Sequence, residues 1–247
     1  MDRQFIRKHF LLVVLAVVSS VLYLVDYTML CNVREVMAGF LGNLAFLPVY
    51  VIFVAVMFEQ IMRERERQTI MSKLNMVIGV FFSEVGNCLL RELSAYVVMC
   101  DTIRKELHVT PQWKDADFQR ALTFLKTNDP HIECAVHNKQ ALKDLLLSKR
   151  GFLVGLLENQ SLLEHDEFTD LLWAVFHLVE ELDARESFDG MPRSDIDHIN
   201  GDIKRAFGHL SREWVAYMKH LKQDYPYLFS LAVRLNPMID NPDPHVY

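Results

Sequence analysis

Two long apolar segments near the start of the chain constrain its fold more than any other feature. Residues 10–25 form a run of 16 residues without a charge, and the apolar character continues to residue 31. Residues 36–58 form a second run of 23 uncharged residues. As an α-helix the second run extends roughly 34 Å, enough to cross a hydrocarbon core of about 30 Å. Because backbone groups in lipid must pair within their own segment, we predict two transmembrane helices, over about 10–31 and 36–58, joined as a hairpin by the short loop at about 32–35.

The rest of the chain has the pattern of a helical domain. Apolar residues recur at helical spacing, and no stretch shows the alternation typical of a strand. The predicted fold is therefore all-α, with the transmembrane hairpin followed by a multi-helix soluble domain. We divide the chain into the hairpin (1–58), a juxtamembrane helical connector (59–108), an α-helical domain (109–235) and an extended Pro-rich tail (236–247). The hydropathy of residues 74–100 would also allow a third span, but the charged residues in this segment favour a buried core helix.

The distribution of positive charge predicts the orientation in the membrane. Arg3, Arg7 and Lys8 precede the first span and three arginines follow the second, whereas the connecting loop holds only Arg34, offset by Glu35. The positive-inside rule then places both termini in the cytoplasm and the protein in the plasma (inner) membrane. An alternative interpretation treats the first segment as a cleaved signal peptide, which would leave one span and put the large domain outside.

The charge balance also bears on partners. The formal net charge of the chain is −6, and because the first 58 residues carry four basic and three acidic residues, the remainder is acidic. An acidic domain without a basic face argues against nucleic-acid binding. The locally basic stretch after the second span indicates contact with lipid headgroups. Its residues are Arg63, Arg65, Arg67 and Lys73.

Three residues in the spans are candidates for a pore or an inter-subunit contact. Asp26 lies in the outer part of the first span, where an acid marks either an ion pathway or the membrane interface. Asn43 is polar and Pro48 is expected to kink the second span. Ala38 and Gly42 form a small-xxx-small pair that allows close approach of helices, so we predict a homo-oligomer.

Histidines follow an 11-residue spacing along the last long helix, predicted from Ser194 to about Asp224. Each histidine has an acid four residues on, and residues at i and i+4 on a helix can touch. The predicted pH-responsive pairs are His198 with Asp202, His209 with Glu213, and His220 with Asp224. The alternative is three boundary histidines that are each bound to a surface acid. Eleven residues are about 16.5 Å of helix, which excludes one metal ion shared by the three histidines.

Two other groups of residues have the chemistry of metal ligands. His131, Cys134 and His137 share one face if they are helical, and imidazole with thiolate suits zinc, but no fourth ligand accompanies them. The acidic residues and histidines between 158 and 181 invite a comparison with di-iron bundles, but the Glu-x-x-His motif is absent from the sequence. We interpret His177 and Glu181 as a surface i,i+4 pair. No cofactor is predicted.

Hydrolase, kinase, P-loop and dinucleotide-binding motifs are also absent from the sequence. The sequence therefore favours a non-enzymatic, membrane-anchored oligomeric scaffold or sensor, with membrane lipids and a cytoplasmic protein as partners. The alternative function is an oligomeric ion channel or transporter, with the spans lining a pore and the helical domain as its gate.

Overall fold

The chain is described by a computed structural model over residues 14, 17–25, 27–28, 33–98, 100–128, 130, 132, 138–159, 162 and 165–246, with the backbone alone at 33, 67–73 and 100. Within these residues every regular element is a helix, and β-structure is limited to an isolated antiparallel bridge between Val97 and Ile132. This confirms the all-α prediction. The chain divides into two units, Met1–Arg67 and Gln68–Tyr247.

In the first unit, two helical segments contact each other. Residues 17–25 and 27–28 are helical, and helix α1 runs from Val33 to Phe81, so that its last part belongs to the second unit. The rings of Tyr23 and Phe40 meet edge to face with centroids 6.0 Å apart. The predicted loop at 32–35 is too long, because α1 already includes Glu35, an acid in the first turn, where the helix dipole favours it.

The second unit contains the end of α1, a π-helical turn and the remaining helices of the described chain. The π-helical turn is Phe82–Gly86. The helices that follow are α2 (Asn87–Ser94), α3 (Cys100–Glu106), α4 (Asp115–Thr127), α5 (Lys139–Leu157), α6 (Asp166–Asp183), α7 (Arg193–Asp224) and α8 (Pro226–Arg234). Helix α7 ends at Asp224, as predicted. Pro226 then occupies the first turn of α8, where a proline is favoured.

Helix α7 lies at the centre of the second unit and packs against α2, α4, α6 and α8. Its Trp214 is the largest fully buried side chain. Phe81 at the end of α1 and Phe82 at the start of the π-helical turn add two more rings to this core. Phe81 meets Phe168 of α6 edge to face at 5.3 Å, and Phe82 stacks on Tyr217 of α7 at 4.9 Å. Helix α7 thus contacts both its neighbours in sequence, α6 and α8, and the more distant helices α2 and α4.

Among the described residues, two stretches are long and apolar enough to cross a membrane, by length and composition alone. Arg34–Glu66 has none of its apolar window buried, whereas 44% of the window in Leu74–Ser94 is buried. Within the second stretch Phe81, Phe82 and Leu89 are fully buried in the core of the second unit. The high hydropathy of Leu74–Ser94 is thus accounted for by packing against α6 and α7.

Two of the predicted segments, the connector and the tail, include residues that are buried in the second unit. From Leu74 onward the proposed connector belongs to the second unit, because Leu74, Leu93 and Leu107 are buried in its core. The tail also starts in the core. The Asn236 amide, 1% exposed, donates a 3.0 Å hydrogen bond to the Leu107 carbonyl, and Met238 is 2% exposed. This bond anchors the chain after α8.

Candidate functional site

Two His–acid pairs, one on α6 and one on α7, meet across the contact between these antiparallel helices. His177 and Glu181 are one turn apart on α6, and His198 and Asp202 are one turn apart on α7. His177 Nε2 lies 3.8 Å from Glu181 Oε1 and 3.5 Å from Asp202 Oδ1. His198 Nε2 lies 3.5 Å from Glu181 Oε2 and 3.3 Å from Asp202 Oδ2. We call these residues the four-residue cluster.

Burial differs between the members of the four-residue cluster. The Asp202 side chain is 2% exposed and that of Glu181 is 25% exposed, whereas His177 and His198 are 44% and 50% exposed. The carboxylates are therefore the more buried part of the cluster, and the imidazoles are its solvent-exposed part. This arrangement gives a small ion a route from solvent to buried oxygen atoms.

One oxygen of Asp202 has a hydrogen-bond partner and the other has none. Arg205 Nη1 donates a 2.9 Å hydrogen bond to Asp202 Oδ1. Asp202 Oδ2 is buried and makes no hydrogen bond, although His198 Nε2 is 3.3 Å away. Since a buried carboxylate oxygen without a partner is costly, Oδ2 is available to a ligand.

Arg185, in the turn after α6, holds the second carboxylate and the start of α7. Its Nη1 donates a 2.8 Å hydrogen bond to Glu181 Oε2, and its Nη2 and Nε donate hydrogen bonds of 2.5 and 3.1 Å to the two oxygens of Asp195. The Arg185 hydrogen bond lowers the pKa of Glu181 and that of Asp195 below their usual values. Both carboxyl groups are therefore ionised at neutral pH.

The contact between α6 and α7 continues toward the start of α6 with a second acidic pair. Glu213, 4% exposed, lies on α7 beside Glu167 of α6. Burial raises the pKa of Glu213 to about 7, and the negative charge of Glu167 acts in the same direction. Burial also lowers the pKa of His209, with Arg212 acting the same way.

The three predicted histidine pairs thus have different surroundings. His198 and Asp202 lie together at 3.3 Å, and His220 Nδ1 lies 2.8 Å from Asp224 Oδ2. Glu213, however, has Glu167 as its described side-chain partner. Asp202 and Glu213 are 11 residues apart on α7, and both face α6. Asp224 lies 11 residues further along α7, and its side chain is 57% exposed.

The other predicted site residues lie in the first unit or outside the described residues. Asn43 donates a 3.4 Å hydrogen bond to the Tyr23 hydroxyl, Pro48 lies inside α1, and Arg63 forms a 2.5 Å ion pair with Glu59. Arg65 is exposed. Outside the described residues or side chains lie Asp26, Arg67, Lys73, His131, Cys134 and His137.

The i,i+4 spacing predicts two separate pairs, His177 with Glu181 on α6 and His198 with Asp202 on α7. It does not predict that the two pairs contact each other, because that contact depends on the register of α6 against α7. Glu181 and His198 lie near the ends of α6 and α7 that residues 184–192 connect. Consecutive helices that pack as a hairpin bring residues near their connected ends together, but nine connecting residues do not determine which residues face each other.

These features define an all-helical protein with an N-terminal helical unit and a larger helical domain that carries the four-residue cluster. Residues 4–62 match the family described as "MJ1433, N-terminal helical domain", and residues 70–234 match "Uncharacterized protein MJ1433, C-terminal helical domain". The chain is 38% identical over 233 residues to "Uncharacterized protein MJ1433" of Methanocaldococcus jannaschii, a match that covers 94% of each chain. The chain belongs to this family. No solved structure matches it.

Proposed function

We propose that the protein is a membrane-anchored oligomeric scaffold or sensor whose helical domain faces the cytoplasm. The observation that carries the proposal is the stretch Arg34–Glu66, which is 33 residues long, apolar and without buried residues in its most apolar window. A helix with this composition and exposure is stable when lipid covers it. The second unit has its own core, as expected of a domain that folds beside a membrane.

Contacts within the first unit support a hairpin of two spans. The Tyr23–Phe40 ring contact and the hydrogen bond from Asn43 to Tyr23 join the two helical segments. Hydrogen bonds of this kind, from an amide to a hydroxyl, join neighbouring helices in lipid. The bond also gives the Asn43 amide a partner in its own chain, which favours a scaffold over the alternative of a pore lined by Asn43.

Topology is the first test of this proposal. Full-length protein with a C-terminal epitope is expressed in bacterial cells, and spheroplasts are treated with protease before and after permeabilisation. We expect the epitope and the helical domain to be digested only after permeabilisation, and the protein to stay in membranes washed with alkaline carbonate. A domain digested in intact spheroplasts, or a protein released by carbonate, would contradict the proposal.

Self-association is expected to depend on Gly42. A Cβ atom added at Gly42 meets nothing within 4 Å, so a side chain there leaves the protomer unchanged. Gly42→Leu is expected to lower the crosslinked fraction of the protein in native membranes, because it removes a close approach between helices. Gly39→Leu, where the added atom also meets nothing within 4 Å, is the matched control for adding a large side chain outside the Ala38–Gly42 pair. Equal crosslinking of wild type and Gly42→Leu would refute an interface at this residue.

A further inference from the structure

We propose that the four-residue cluster binds one divalent transition-metal ion, held by His177, Glu181, His198 and Asp202 between α6 and α7. The inference goes beyond membrane anchoring and names a chemical signal for the sensor function proposed above. It rests on the packing of the second unit alone, so it holds or fails independently of the topology of the first unit.

The donor atoms of the four-residue cluster lie near the spacing of a tetrahedral site. Four ligands at about 2.1 Å from a metal ion are about 3.4 Å apart from one another. Each imidazole Nε2 lies 3.3 to 3.8 Å from one oxygen of both carboxylates, and the two histidines face different oxygens of each carboxylate. With one ligand atom taken from each residue, all four lie within 4.8 Å of one another. Rotation of the half-exposed imidazoles would bring these four atoms closer to the tetrahedral spacing.

Each carboxylate of the cluster is held by an arginine through one oxygen. Arg205 donates to Asp202 Oδ1, and Arg185 donates to Glu181 Oε2. The second oxygen of Asp202, Oδ2, is buried without a hydrogen bond. Metal-binding carboxylates typically have such outer hydrogen bonds, which orient the remaining lone pairs. This independent feature distinguishes the cluster from a group of acids and histidines on a surface.

The donor atoms indicate the class of ion. Two imidazole nitrogens with two carboxylate oxygens suit Zn²⁺, Fe²⁺, Co²⁺ or Mn²⁺, whereas Ca²⁺ and Mg²⁺ prefer sites made of oxygen atoms. The two carboxylates carry the charge that neutralises a divalent cation. With four protein ligands, a tetrahedral ion has no open position for substrate, so the site is of the structural or regulatory type rather than the hydrolytic type.

Metal binding here adds a cross-link between two helices that already pack against each other and are connected by residues 184–192. Each helix supplies one histidine and one acid, so neither can hold the ion alone. Binding to the folded state but not to the unfolded state stabilises the fold by mass action. A change in metal concentration therefore alters the rigidity of the α6–α7 hairpin, which is a signal that a partner protein can detect.

The test uses full-length protein in detergent, without a histidine tag, stripped with a chelator and dialysed. Calorimetric titration with Zn²⁺ and elemental analysis are expected to give one ion per chain, and Co²⁺ is expected to show the visible absorption of a tetrahedral site. Mg²⁺ and Ca²⁺ are the negative controls. The melting temperature of the protein is expected to rise with Zn²⁺. A stoichiometry far below one ion per chain, or equal binding of Mg²⁺, would overturn the proposal.

Variants assign the binding to the four residues. His177→Ala and His198→Ala change half-exposed side chains and are each expected to weaken Zn²⁺ binding at least about tenfold. The matched control is His220→Ala, which removes a histidine from another i,i+4 pair on the same helix, and it is expected to leave the affinity unchanged. Loss of metal binding in His220→Ala alone, or full binding in both cluster variants, would place the ion elsewhere and refute the assignment.

Discussion

Gly86→Ala is expected to lower the free energy of unfolding of the helical domain by up to about 2 kcal/mol, because forcing an extra group into a packed core costs about 1–3 kcal/mol and replacing a helical glycine by alanine returns about 1 kcal/mol. Gly86 is buried at the end of the π-helical turn. A Cβ atom added there would lie 2.5 Å from Cδ1 of Phe82 and 3.0 Å from Cε1 of Phe81. Contacts at 2.5 Å are not tolerated, so a ring or the turn must move.

Neither ring near Gly86 has room to move. Phe82 is stacked on Tyr217 with an angle of 12° between the rings, and Phe81 meets Phe168 edge to face. Both phenylalanines have 0% exposure. The extra methyl group must therefore disturb the contact between the end of α1 and α6 and α7, and the cost exceeds the gain from replacing glycine inside a helix, about 1 kcal/mol.

Gly201→Ala is the matched control for this prediction. Gly201 lies inside α7, is exposed, and has nothing within 4 Å of an added Cβ atom. Its replacement is expected to raise the free energy of unfolding by up to about 1 kcal/mol. Thermal and denaturant unfolding of the full-length protein in detergent, followed by circular dichroism, would measure both. If Gly86→Ala is stabilising by the same amount as Gly201→Ala, the described packing around Phe81 and Phe82 is wrong.

The helical nature of the chain could be predicted because it depends on local pattern. Apolar residues at helical spacing predict one helix over about 115–126 and another over 139–158, and the structure has these helices at Asp115–Thr127 and Lys139–Leu157. Asn138 explains the second start, since its side chain accepts hydrogen bonds from the backbone of Gln140 and Ala141. The π-helical turn that ends at Gly86 has no such local signature, although Phe81 and Phe82 at its start are both buried in the core.

The candidate site could be predicted only in part. Spacing alone identified His198 with Asp202 as neighbours. It does not reveal that Asp202 and Glu213 are buried, at 2% and 4% exposure, because an i,i+4 spacing does not say which face of α7 another helix covers. Burial follows from the position of α6 along α7, which depends on packing between distant residues. That register also brings Glu181 to His198 and Glu167 to Glu213.

The buried pair Glu213 and Glu167 is expected to make the stability of the domain depend on pH. The pKa of Glu213 is about 7 in the folded protein, against 4.5 for an unperturbed glutamate. Between these values the folded state keeps a proton that the unfolded state has lost. The free energy of unfolding contributed by this group is therefore fully present below about pH 4.5 and is lost as the pH rises through 7. The loss amounts to about 3 kcal/mol.

Glu213→Gln removes the titrating group while keeping its size. Around pH 5 we expect the variant and the wild type to have similar free energies of unfolding, since both carry a neutral side chain. At pH 8 the variant is expected to be more stable by up to about 3 kcal/mol, because the wild type must then bury a second negative charge beside Glu167 or open the contact. The surrounding charges, Asp170 of α6 with His209 and Arg212 of α7, are the same in both proteins.

The measurement is the difference in unfolding free energy between wild type and Glu213→Gln as a function of pH, recorded with a chelator present so that metal binding does not contribute. Taking the difference cancels the titration of groups that do not interact with Glu213, so the remaining pH dependence comes from Glu213 and its interaction with Glu167. Glu186→Gln, which changes an exposed glutamate, serves as the control and is expected to give a flat difference. A difference for Glu213→Gln that does not change between pH 5 and pH 8 would show that Glu213 keeps an ordinary pKa and that the α6–α7 contact there is open to water.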